Sequence, residues 1–95
     1  MDEKEEEEFL KMIGLKGTLP VLKFLDERGE AQYGEFTNLV NVVSLNTRLK
    51  QLLHFGLIEH HLERLELRRE WYTITDKGRE ILDHLNEIVK LMYEE

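Results

Sequence analysis

Apolar residues recur at helical spacing along most of the chain and at strand spacing over one stretch. Phe9, Leu10, Met12 and Ile13 make a short face that Gly14 closes, so a first helix is expected over about 9–13. Leu19, Leu22, Phe24 and Leu25 mark a second helix, with Thr18 as its cap, Pro20 in its first turn and Gly29 at its end. A short third helix is expected over 33–39, with Phe36 and Leu39 facing the core. A fourth spans about 41–55 on Leu45, Leu49, Leu52 and Leu53, spaced three and four apart, and Gly56 stops it. The last begins after Thr75 or Asp76 and runs to about residue 94, with Ile81, Leu82, Leu85, Ile88, Val89 and Met92 on one stripe.

The pattern changes over 57–75. Ile58, Leu62, Leu65 and Arg69 could share a helical face, whereas Trp71-Tyr72-Thr73-Ile74-Thr75 is aromatic and β-branched, the composition of a strand. We expect a hairpin with strands near 57–64 and 69–74 and a tip at Leu65–Arg68. The fold class is therefore mainly α with a small β-hairpin.

A chain of 95 residues, 41% of them hydrophobic, suffices for one core but divides poorly into two. One domain over 9–95 is expected, preceded by an acidic tail, 1–8, that can bury nothing and is expected to be frayed or solvated. The net charge of −7 argues at first against a polyanionic partner. The acids are concentrated at the ends, however: residues 2–8 carry six acids and one Lys, Glu94 and Glu95 add two more, and residues 9–93 balance at 12 basic and 12 acidic. From Ser44 to Arg79 seven basic residues face five acidic ones, which allows a modest basic patch.

With no cysteine, disulfides, thiolate zinc sites and thiol redox switching are excluded. His60 and His61 are neighbours on an expected strand and point to opposite faces, and His54 and His84 lack ligand spacing, so neither a metal nor another cofactor is expected. No pair of carboxylates is marked out by apolar surroundings, and neither a glycine-rich phosphate loop nor a nucleophile elbow is present, so no enzyme activity is expected. The acidic start is unlike a signal peptide and no apolar run approaches the roughly 20 residues of a membrane span, which points to the cytoplasm and to no membrane contact.

The order of elements carries more information than any single motif. Lys16-Gly17-Thr18-Leu19, Tyr33-Gly34-Glu35-Phe36, Leu45-Asn46-Thr47-Arg48-Leu49, Gly56-Leu57-Ile58 and Tyr72-Thr73-Ile74-Thr75-Asp76-Lys77-Gly78 follow one another at spacings that resemble the winged helix-turn-helix regulators of the HxlR type and, more distantly, the MarR type. The tryptophan typical of the first of these motifs is replaced by Gly17. The resemblance covers roughly residues 14–92 and implies a transcription regulator that binds double-stranded DNA, with helix 41–55 in the major groove and a basic wing, 57–75, reaching along the backbone.

On that helix Ser44, Asn46, Thr47, Arg48 and Lys50 are the candidates for phosphate and base contacts, against the alternative of an ordinary solvated face. Arg64, Arg68 and Arg69 are candidates at the wing tip, against the alternative of ion pairs with Glu63, Glu66 and Glu70. Val42 and Val43 suit either thymine methyls or a protein partner, so a protein-interaction module that does not bind DNA is the competing function. Trp71 is expected to pack within the hairpin or at a dimer contact. The stripe on the last helix exceeds what a lone terminal helix needs, so Ile81, Leu85, Ile88, Val89 and Met92, joined by Phe9 and Ile13, are expected to form a homodimer. A twofold dimer would address half-sites roughly 34 Å apart. A small-molecule effector between the dimer helices and the wing is compatible with this reading, and nothing in the residues names it.

Overall fold

The computed structural model describes residues 1–94; the charge of Glu95 and the last position of the expected domain lie outside them. The elements are α1 (Glu3–Ile13), α2 (Thr18–Arg28), α3 (Tyr33–Phe36), α4 (Val42–His54), β1 (Ile58–Arg64), β2 (Arg68–Ile74) and α5 (Asp76–Tyr93). This is the mainly helical fold with one hairpin that the residue pattern predicts.

Helix α1 starts well ahead of its first apolar residue. Asp2 accepts a hydrogen bond from the Glu5 amide at 2.8 Å, and the glutamates of the first turn face the positive end of the helix dipole. Residues 3–8 are thus helical while still burying nothing.

Thr18 does not cap α2. Gly17 takes the cap position at φ 97°, a left-handed conformation, and a Cβ there would also press on the Val40 methyls at 3.1 Å. Thr18 is fully buried instead and donates to the Met12 carbonyl at 2.7 Å, which locks the α1–α2 corner.

Helix α3 stops at Phe36, before its expected end. The Glu35 carboxylate accepts from the Gln32 amide at 2.7 Å and from Arg28 at 2.7 Å, which fixes the start, and a turn follows. The turn leaves Leu39 exposed and swings Val40 inward in its place, because the helical period no longer applies beyond Phe36.

Helices α1, α2, α4 and α5 and the base of the hairpin enclose one core, in which Met12, Val21, Leu22, Leu25, Phe36, Leu45, Leu49, Leu52, Leu57, Ile58, Ile74 and Leu82 are buried. Phe36 meets Phe24 and Tyr72 edge-on, with centroids 5.7 and 6.0 Å apart.

The hairpin is antiparallel with Ile58 opposite Ile74 and Arg64 opposite Arg68, so the tip is Leu65-Glu66-Leu67 and Arg68 lies within β2. Ala31 makes a single bridge to Tyr72 on the outer edge of β2. The wing is clamped at its base by Thr75, whose hydroxyl donates to the Gly56 carbonyl at 2.7 Å and accepts from the Gly78 amide at 3.0 Å. Thr75 is also the N-cap of α5.

Candidate nucleic-acid interface

Asn41 opens α4 by accepting from the Ser44 amide at 3.0 Å. Two stripes then run along the helix. Leu45, Arg48, Leu49 and Leu52 point inward and are buried, while Val43, Asn46, Thr47 and Lys50, at the same three-and-four spacing, point outward and are exposed. Ser44 lies between the stripes, half-buried.

Arg48, expected on the outward face, is only 6% exposed. Its Nε donates to the Lys16 carbonyl at 3.3 Å and its guanidinium donates to Gln51, so it ties α4 to the α1–α2 loop, and burial lowers its pKa from the ordinary arginine value. The reason is positional: residue 48 is three after Leu45 and four before Leu52, which puts it on the core stripe whatever its charge.

The outward stripe is 80% exposed at Val43. The Thr47 hydroxyl donates back to the Val43 carbonyl at 3.4 Å. Asn46 Oδ1 accepts from the Tyr33 hydroxyl at 2.7 Å. Tyr33, whose ring packs against the core, was visible in the sequence only as part of an aromatic-x-Glu motif.

The wing is less basic than expected. Residues 57–75 contain three arginines and four glutamates, a net −1 with histidine neutral. Arg68 pairs with Glu70 at 3.1 Å, as the ion-pair alternative holds, and Arg69 pairs with Glu30 at the exit of α2. Arg64 has no ion-pair partner among the described residues. The tip is apolar, with Leu65 and Leu67 85% and 84% exposed.

His60 and His61 do take opposite faces of β1. His60 Nε2 lies 2.7 Å from Glu70, and that hydrogen bond, with Arg68 alongside, holds the Glu70 carboxyl below its usual range. His61 stacks on Trp71 at 5.1 Å and bonds Thr73 at 2.8 Å. Trp71 thus packs within the hairpin, outside the core, with the Arg69 guanidinium 4.2 Å from its ring centroid. Burial raises the Tyr72 pKa, with Glu70 and Tyr33 adding to it.

The expected dimer stripe divides. Phe9 meets Phe55 edge-on at 5.2 Å, and Phe9, Ile13, Ile81 and Leu85 pack against the core of the same chain. Ile88, Val89 and Met92 remain exposed on the last turns of α5. Among the described residues, no group of His, Asp and Glu is arranged to hold a metal, and no helix is long and apolar enough to cross a membrane.

A short helix, a turn, an exposed second helix and a β-hairpin in this order define a winged helix-turn-helix, a class of DNA-binding transcription regulators. The chain belongs to the HxlR-like helix-turn-helix family, whose model matches residues 12–95. No curated protein sequence matches it. Among solved structures, the reduced form of the transcriptional regulator YodB from B. subtilis superposes with a TM-score of 0.76 at 22% identity, over 95% of this chain and 89% of that one. A MarR-family transcriptional regulator from Enterococcus faecalis V583 gives 0.75 at 22% identity, over 96% and 86%. A transcriptional regulator homologue from Pyrococcus horikoshii OT3 gives 0.69 at 20% identity, over 99% and 100%. The YodB structure is of a reduced form; this chain has no cysteine to oxidise.

Proposed function

We propose that the chain is a cytoplasmic, non-enzymatic regulator that binds duplex DNA as a homodimer, as one domain over 9–95 behind the acidic segment 1–8. Helix α4 lies in the major groove with Val43, Asn46, Thr47 and Lys50 toward the bases and phosphates, Ser44 at the edge of that contact, and the wing beside the backbone. The observation that carries this reading is the outward stripe of α4, exposed at Val43, Asn46, Thr47 and Lys50. In the wing, Arg64 contacts phosphate directly, whereas Arg68 and Arg69 do so only by exchanging Glu70 and Glu30 for it. The exposed Ile88, Val89 and Met92 close the dimer by burying apolar surface on a second copy.

The test is binding to a randomised duplex pool followed by gel shift of the enriched sequences at several salt concentrations. The logarithm of the affinity should fall linearly with log salt as phosphate contacts release counterions. Binding that ignores salt, or no enrichment at low salt, refutes the reading. A protein-interaction module is the second reading, favoured by the exposed Val42, Val43 and Leu39 and by the acidic wing. It is supported if a stoichiometric protein partner co-purifies and is lost on Val43→Asp while DNA enrichment is absent.

A further inference from the structure

Val43 is the residue of the outward α4 stripe whose side chain neither donates nor accepts a hydrogen bond. Asn46, Thr47 and Lys50, which share the stripe, carry an amide, a hydroxyl and an ammonium group. At 80% exposure the Val43 isopropyl group is left almost wholly in water, in the first turn of the helix. Its surroundings suit a polyanion: residues 36–58, which include all of α4 and the turn before it, contain no acidic residue in a chain that carries 20. Duplex DNA offers such a side chain one methyl group on its major-groove base edges, at C5 of thymine, beside donors and acceptors on every base.

We infer that Val43 reads a thymine through its C5 methyl group, so that the duplex this protein selects carries thymine at the base beneath Val43. This rests on the placement of α4 in the major groove proposed above. Against the thymine methyl, the isopropyl group removes apolar surface from water on both sides of the contact. Against the amino, keto and ring-nitrogen groups of the other bases it would displace water and return no hydrogen bond, which is unfavourable. Val43 thereby sets which base is chosen, while phosphate contact falls to Lys50. One methyl group taken out of water is worth about fourfold in affinity.

The experiment is uracil scanning. The full-length wild type selects a duplex from a randomised pool, and each thymine of that duplex is then replaced singly by uracil, which deletes the methyl group and keeps the base pair and the O4 acceptor. Gel shifts at one salt concentration compare the wild type with Val43→Ser, shown to be folded by circular dichroism. At one thymine of a half-site, uracil should weaken the wild type about fourfold and leave Val43→Ser within about 1.5-fold. At the same position, paired with guanine, 5-methylcytosine should bind the wild type more tightly than cytosine, because it restores the methyl group. Uracil tolerated at every thymine, a selected duplex without thymine, a uracil penalty that persists in Val43→Ser, or 5-methylcytosine no better than cytosine overturns the inference and leaves DNA binding standing. A folded Val43→Ser that loses binding altogether does the same, since a methyl contact cannot carry the whole affinity. No enrichment by the wild type overturns both the inference and the groove placement beneath it.

Discussion

Replacing Gly78 by alanine sets two effects against each other, and the structure decides between them. Gly78 lies in the first turn of α5, directly over the entrance to the wing. A Cβ on it would sit 2.1 Å from the Leu57 carbonyl oxygen and 2.8 Å from Ile74 Cγ1, where carbon contacts are ordinarily about 3.5–4.0 Å. The nearer obstacle is backbone, held by the Thr75 amide, which donates to that same carbonyl at 3.1 Å, so it cannot swing aside as a side-chain end would. Overpacking of this kind costs about 1–3 kcal/mol or more. Alanine would return at most about 1 kcal/mol through its better helix propensity. Taking the upper end of the clash, Gly78→Ala should destabilise the protein by about 2 kcal/mol, a fall in Tm on the order of 10 °C for a chain of this size. Urea and thermal unfolding at matched protein concentration measure it, since self-association would make stability depend on concentration. A variant as stable as the wild type, or more stable, would show that propensity governs this position and that the tight packing of α5 on the wing entrance is wrong.

Three further outcomes are expected. Arg48→Ala should lower unfolding stability by about 1–3 kcal/mol by leaving the Lys16 carbonyl without its partner, whereas Lys50→Ala should leave stability unchanged and reduce the salt slope of DNA binding by about one unit; the reverse pattern in urea melts and gel shifts would put Arg48 on the DNA. Ile88→Glu combined with Val89→Glu should convert a dimer to a monomer in light scattering with the helical circular dichroism retained, and a dimer that survives both changes refutes the α5 interface. Because the folded-state pKa of Glu70 is depressed, its contribution to the wing is complete above the ordinary glutamate range and disappears as pH falls through the lowered value. An NMR titration of the Glu70 carboxyl should therefore show a midpoint below that of a free glutamate, and His60→Ala should move it back up.

The helices that begin and end on residues with a clear backbone role were legible in the sequence: Gly29 and Gly56 end α2 and α4, and Thr75 starts α5. The hairpin was legible from its run of aromatic and β-branched residues over 71–75. The start of α1 was not, because a run of glutamates has no apolar period, although glutamate favours helix and Asp2 is a good cap. The site shows the same division. The outward stripe on α4 follows from spacing alone. So does the burial of Arg48, but a guanidinium ordinarily seeks solvent, and the partner that makes burial tolerable, the Lys16 carbonyl, is distant in sequence. The pairings of Arg69 with Glu30 and of Tyr33 with Asn46 are likewise made by tertiary structure and leave no local signature. The excess of glutamate over arginine in the wing, by contrast, is plain in residues 57–75 themselves.

The packing of Trp71 has a practical consequence. It is the chain's single tryptophan, and it lies against the His61 imidazole and the Arg69 guanidinium, on the hairpin rather than in the core. Its emission is therefore a built-in optical probe of the wing alone. An event that pulls Arg69 from Glu30 onto a phosphate changes the charge beside the indole face. The wing's engagement can then be followed in real time on unlabelled protein, provided that the indole is excited at the red edge of its absorption, where Tyr33, Tyr72 and Tyr93 do not absorb.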